Sequence, residues 1–290
     1  MENKYHVRSN SFPSQSHPNS TRIEQDLNKI KTWEATSAST SDSITNGLSM
    51  LEDLYISLED LLNMASTQKA ISHHQGEKSV EELLDGSVKI LDICGITRDT
   101  LLQIKENVQT LHSSLRRRKG DSSIEKSVAE YNFVTKKMKK NVTKLITSLK
   151  QMESRFGASS LLNQDQEFVS AIRVLREVIV MNISIFQSIL SFLVGSTSKS
   201  KAAKWLKVAK LMHKKVLCEE KLENFNELQC VEASLRTLLR EGSDVTKMQD
   251  THEKIEALEN AIEIIENGLE SVFRRLVKTR VALLNIMTQS

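Results

Sequence analysis

Residues 168–194, FVSAIRVLREVIVMNISIFQSILSFLV, form the most apolar part of this 290-residue chain, and their reading decides the fold. On a helical wheel at about 100° per residue, Ser170, Arg173, Arg176, Glu177, Ser184, Gln187, Ser188 and Ser191 gather within roughly a third of the circumference. Phe168, Ile172, Leu175, Val178, Ile179, Ile185, Phe186, Ile189, Leu190 and Leu193 fill most of the remainder. So wide an apolar arc requires neighbours on several sides, which is the position of the central helix of a bundle. Asn182 falls inside the apolar arc and therefore requires a hydrogen-bond partner. A membrane span is the rival reading, because Val178 to Val194 approaches the roughly 17 residues that cross a bilayer. The alignment of the polar residues along one face favours the buried core helix.

Outward from this helix, composition points the same way. The two prolines are Pro13 and Pro18, so everything from Asn19 onward lacks the strongest helix breaker. The expected class is all-α: an elongated multi-helix bundle with long, heptad-like helices over 21–290 and a disordered tail over 1–20, where Ser, Asn, His and Pro dominate. The 9 glycines include no G-x-G-x-x-G and no G-x-x-x-x-G-K, which argues against a nucleotide-binding enzyme. Cys94, Cys218 and Cys230 are widely spaced within helical patterns, as buried reduced thiols are. His73 and His74 adjoin in a polar connector without a carboxylate at ligand spacing, so no metal and no cofactor is assigned. The start, MENKYHVRSNSFPSQSHPNS, has no apolar run of the kind secretion uses, and a cytoplasmic protein is expected.

Periodicity places a helix from Thr21 on Ile23, Leu27 and Ile30, and a second on Ile44 to Leu62 that ends near Ser66. Ser79-x-x-Glu82 and Ser122-x-x-Glu125 have the form of capping boxes opening two further helices, the first of which Gly86 and Gly95 can bend. The helix after Ser122 carries Ile124, Val128, Tyr131, Met138, Val142, Leu145, Leu149, Met152 and Phe156 as a seam for a partner helix. Gly195 stops the central helix. Leu222 to Leu238 and Ile255 to Ile286 carry the last two helices, the final one acting as a coiled-coil-like seam.

Two stretches invite a functional reading. Arg8-Ser9-Asn10-Ser11-Phe12-Pro13 has the spacing of an Arg-x-x-Ser kinase site and of ligands for phosphoserine-reading adaptors. Phosphate on Ser11 adds nearly two negative charges for an arginine cluster, with Arg8, Ser9 and Pro13 completing the motif. The segment 201–217, KAAKWLKVAKLMHKKVL, sets an apolar side against a lysine side, so Lys204, Trp205, Lys207, Lys210 and Lys214 are a candidate membrane or partner surface. A solvated bundle helix is the plainer explanation of the same pattern.

Charge is uneven although the net is only +3. Residues 116–150 hold eleven Lys/Arg against three Asp/Glu, or +8, and 196–218 hold seven Lys and no acid. Residues 250–270 hold one Lys against seven acids, or −6. The simplest use of this asymmetry is to steer the acidic last helix against a basic one in the same bundle. Nucleic acid ranks lowest among anionic partners, since aromatics make up 4% of the chain.

RSNSFPSQSHP at the start, LLDGSVKILDICGITRDTLLQIKENVQTLHSSLRRRKG over 83–120, and FRRLVKTRVALLNI over 273–286 together resemble the plant BYPASS-like family. The resemblance implies a role in plant root and shoot development, implies association of some members with membranes, and carries over no catalytic residue. The expectation is a non-enzymatic helical scaffold or regulator with protein partners. The alternative is a peripheral protein that holds anionic lipid through the basic amphipathic segment.

Overall fold

The structure is a computed structural model that describes residues 18–37, 40–74, 76–117, 121–157, 165–195, 225–242 and 244–288. Among them are eight α-helices and no strand: α1 (Pro18–Thr36), α2 (Ser41–Leu62), α3 (Ala65–His73), α4 (Lys78–Arg116), α5 (Asp121–Gly157), α6 (Gln166–Val194), α7 (Glu227–Glu241) and α8 (Val245–Thr288). The all-α bundle expected from the periodicity is the one observed.

The hub is α6. It packs against α1, α2, α3, α4 and α5, and its apolar arc from Phe168 to Leu193 is buried. By length and composition this helix could cross a membrane, with a mean hydropathy of 1.8 in its most apolar window, but 67% of that window is buried inside the protein. Its start is set by Asp165, whose side chain accepts from the Glu167 amide at 3.2 Å, and its end by Gly195 in the left-handed region at φ 69°. That conformation favours glycine, which is why the helix stops where the sequence places a glycine.

Around the hub, α1 and α2 pack as a pair, and α8 lies against α2, α3, α4 and α7. α1 buries Ile23, Leu27 and Ile30 as their spacing predicts, and adds Trp33, whose indole Nε1 donates to the Ser43 carbonyl at 2.9 Å. The 44 residues of α8 extend roughly 66 Å at about 1.5 Å per residue. α5 packs on α4 and α6 along the predicted seam, with Val128, Tyr131, Met138, Val142, Leu149, Met152 and Phe156 all buried.

Local chemistry departs from the sequence expectation in four places. α1 opens at Pro18 rather than Thr21, since a proline fits the first turn of a helix, where its missing N–H is not needed. The stretch after Leu62, expected as a polar connector, contains the short α3; His74 just beyond it stacks on Phe168 with ring centroids 4.0 Å apart. Ser79 does not cap α4: the helix starts at Lys78, and Glu82 accepts instead from Arg176 Nη2 at 3.1 Å. A charge-assisted bond to a buried arginine outweighs a cap worth about 1 kcal/mol. Ser122 likewise lies inside α5, which begins at Asp121.

Gly86 and Gly95 lie within one continuous α4. A Cβ at Gly86 would stand 2.5 Å from Phe156 Cζ and 2.9 Å from Ile179 Cδ1, so this residue is the notch through which α4 meets α5 and α6. Gly95 faces open space.

Candidate functional site

The interior polar groups act as ties between helices. Asn182 Nδ2 donates to the Tyr55 hydroxyl at 2.8 Å and to the Val178 carbonyl at 2.7 Å, giving the buried amide the partner its position demanded. Burial pushes the Tyr55 phenol well above its ordinary range, so it stays protonated. Ser57 donates to Asp26 at 2.6 Å and so joins α2 to α1. Arg280 on α8 donates to the Leu84 carbonyl at 2.9 Å and to Ser87 Oγ at 2.6 Å on α4. A cavity of about 30 Å³ lies between Tyr55, Asn182, Thr279 and Arg280, which is room for a water and too little for a substrate.

Part of the polar stripe of α6 is buried as well. Arg176 is only 6% exposed and pairs with Glu82, while Arg173 pairs with Glu24 and with Glu177 at 2.9 Å. Lys31 reaches Glu177 at 2.7 Å. The polar stripe of α6 is therefore partly roofed by α1 and α4.

Acidic α8 does not lie on a basic helix as expected: it packs against α4, which holds five Lys/Arg and six Asp/Glu over 78–116, and pairs with individual cations of that helix. Arg98 pairs with Glu270 at 2.7 Å, Lys105 with Glu266 at 2.7 Å, His112 with Glu259 at 3.2 Å and Arg116 with Glu256 at 3.0 Å, an antiparallel ladder along the two helices. His112 is buried and lies 5.2 Å, ring to ring, from His252, a pairing that sequence distance conceals. Among the described residues no group of three His, Cys, Asp or Glu side chains is placed to hold a metal. Burial pushes the Cys94 thiol up to about 12 and raises Cys230 as well, which keeps both thiols protonated.

Most of the positive charge of α5 has no ion-pair partner among the described residues. Its outer side carries exposed Lys126, Lys136, Lys137, Lys140, Lys144, Lys150 and Arg155, none of which has an acidic partner among the described residues. Lys139, on the flank, pairs with Glu232 of α7 at 2.6 Å. Amid the exposed lysines stands Phe133, 72% exposed. This face is the candidate functional site. The signal for it was present in the +8 charge count; what the sequence could not show was that the acidic helix would be taken up elsewhere.

The candidate residues named from the sequence, Arg8, Ser9, Ser11 and Pro13 and then Lys204, Trp205, Lys207, Lys210 and Lys214, lie outside the described residues.

A family model described as Protein BPS1 matches residues 47–286, most of the chain and every helix from the body of α2 to the end of α8. The chain belongs to the BPS1 family. This is the BYPASS-like plant family, and two of the three blocks that carried the resemblance, 83–120 and 273–286, fall within the match. Membership of the BPS1 family suggests a developmental role in plants. No curated protein and no solved structure matches the chain. The match also contains the whole of α5.

Proposed function

We propose that this BPS1-family protein is a non-enzymatic helical scaffold, cytoplasmic and acting in root and shoot development through the surfaces its bundle presents to protein partners. The observation that carries this reading is the contrast between interior and surface. Buried polar groups such as Asn182, Tyr55, Asp26 and Arg176 are engaged in joining one helix to another, whereas the lysines concentrated on the outside of α5 have no acidic partner among the described residues. A phosphoserine-reading adaptor at Ser11 is a partner of this kind.

The test is genetic complementation in plants lacking the gene. A chain carrying Lys136→Glu, Lys137→Glu, Lys140→Glu and Lys144→Glu is expected to accumulate normally and fail to restore growth. The interior variant Asn182→Leu with Tyr55→Phe removes polar chemistry while keeping the packing, and is expected to restore it. Loss of rescue by a well-folded, normally accumulating interior variant would contradict the scaffold reading.

A further inference from the structure

We infer that the outer face of α5 docks on an anionic lipid bilayer. Lys126, Lys136, Lys137, Lys140 and Lys144 all fall within about 60° of Phe133 on the helical wheel. They span roughly 27 Å at about 1.5 Å per residue, with one acid, exposed Glu130, at the edge of the same arc. All are exposed and lack an acidic partner among the described residues, and Phe133 projects from their midst. The inference rests on the scaffold reading and names the surface to which the scaffold is attached.

The composition of the row selects the partner. It contains lysines and no arginine between 126 and 144. Lysine is a compact, flexible charge that suits the laterally mobile headgroups of a membrane, whereas fixed phosphates and carboxylates favour the planar fork of arginine. A partner helix would need an apolar seam repeating every three to four residues, and Phe133 stands alone on this face. A single-stranded nucleic acid would need a series of stacking platforms. One exposed aromatic among lysines fits a headgroup layer, with Phe133 at the acyl boundary and the ammonium groups around it.

The full chain is floated with vesicles of phosphatidylcholine alone or with about 30% phosphatidylserine, at about 0.1 M and about 0.5 M salt. The wild type is expected to float with the anionic vesicles at low salt only. The fourfold Lys→Glu variant at 136, 137, 140 and 144 is expected to lose at least about tenfold in affinity with unchanged helicity, because those side chains hold no internal partner. The fourfold Lys→Gln variant supplies the same test without charge reversal, and Phe133→Ala is expected to weaken binding several-fold with every charge retained. Wild-type binding by the fourfold variants, or a wild type that ignores anionic lipid, overturns the inference. So does a loss confined to a random-sequence DNA duplex, which would assign the face to nucleic acid. Failed rescue by the fourfold variant together with normal flotation overturns the lipid assignment and leaves the scaffold reading standing.

Discussion

Gly86 and Gly95 share one helix, yet alanine has opposite consequences at the two. At Gly86 the new methyl meets the Phe156 ring and Ile179, and the strain of overpacking outweighs the gain in helix propensity. Gly86→Ala is expected to lower stability by about 1–2 kcal/mol in urea unfolding. Gly95→Ala meets nothing and is expected to raise it by about 0.5–1 kcal/mol. Equal effects of the two substitutions would show that the notch does not exist. Cys94 offers a second check at this scale. With its thiol held at about 12 by burial, it should resist iodoacetamide at pH 8 in the folded protein and react once unfolded, as read by peptide mass spectrometry. The sequence showed that Asn182 needed a partner, because an amide within an apolar arc is conspicuous. It could not name Tyr55, whose spacing in α2 reads only as core. The burial of Arg176 is hidden for a related reason: a wheel reports which side a residue occupies, not whether another helix covers that side.

At the scale of elements, the tie between α6 and α2 behaves as a unit. Asn182→Leu or Tyr55→Phe alone leaves one buried polar group without its partner, at an expected cost of about 1–3 kcal/mol. The double variant is expected to cost less than the sum of the two, measured as a double-mutant cycle; strict additivity would mean that the pair contributes nothing as a pair. The start of α7 is a reciprocal cap. Gln229 receives Asn226 and returns the bond, and Asn226 also holds the end of α6 through the Phe192 carbonyl. Asn226→Ala is expected to cost about 1–2 kcal/mol in urea unfolding, the upper part of the range for a cap, because the tie to Phe192 is lost with it. Asn226-x-x-Gln229 has the form of a capping box, but the apolar spacing from Leu222 runs through it, so the period alone does not mark it as a helix start. The two serine boxes do not mark helix starts, because a serine followed by a glutamate three residues later also occurs just inside a helix.

For the molecule as a whole, the class and the central helix were legible because hydrophobic period and proline content act along the chain. The destination of the charges was not, since the −6 segment could have faced either basic stretch. The acids of α8 pair with single cations of α4, while the outer lysines of α5 have no acidic partner among the described residues; both outcomes are properties of the assembled bundle. The central claim is therefore a division of labour: α6 is buried by its own protein, and α5 meets the outside. Hydrogen exchange of the full chain in buffer, with and without anionic vesicles, tests it most directly. Slowest exchange along α6 in both conditions, with vesicle-induced slowing concentrated over 126–144, is the predicted result. Early exchange of α6, or vesicle-induced slowing centred on it, would contradict the account by placing the apolar helix in the bilayer.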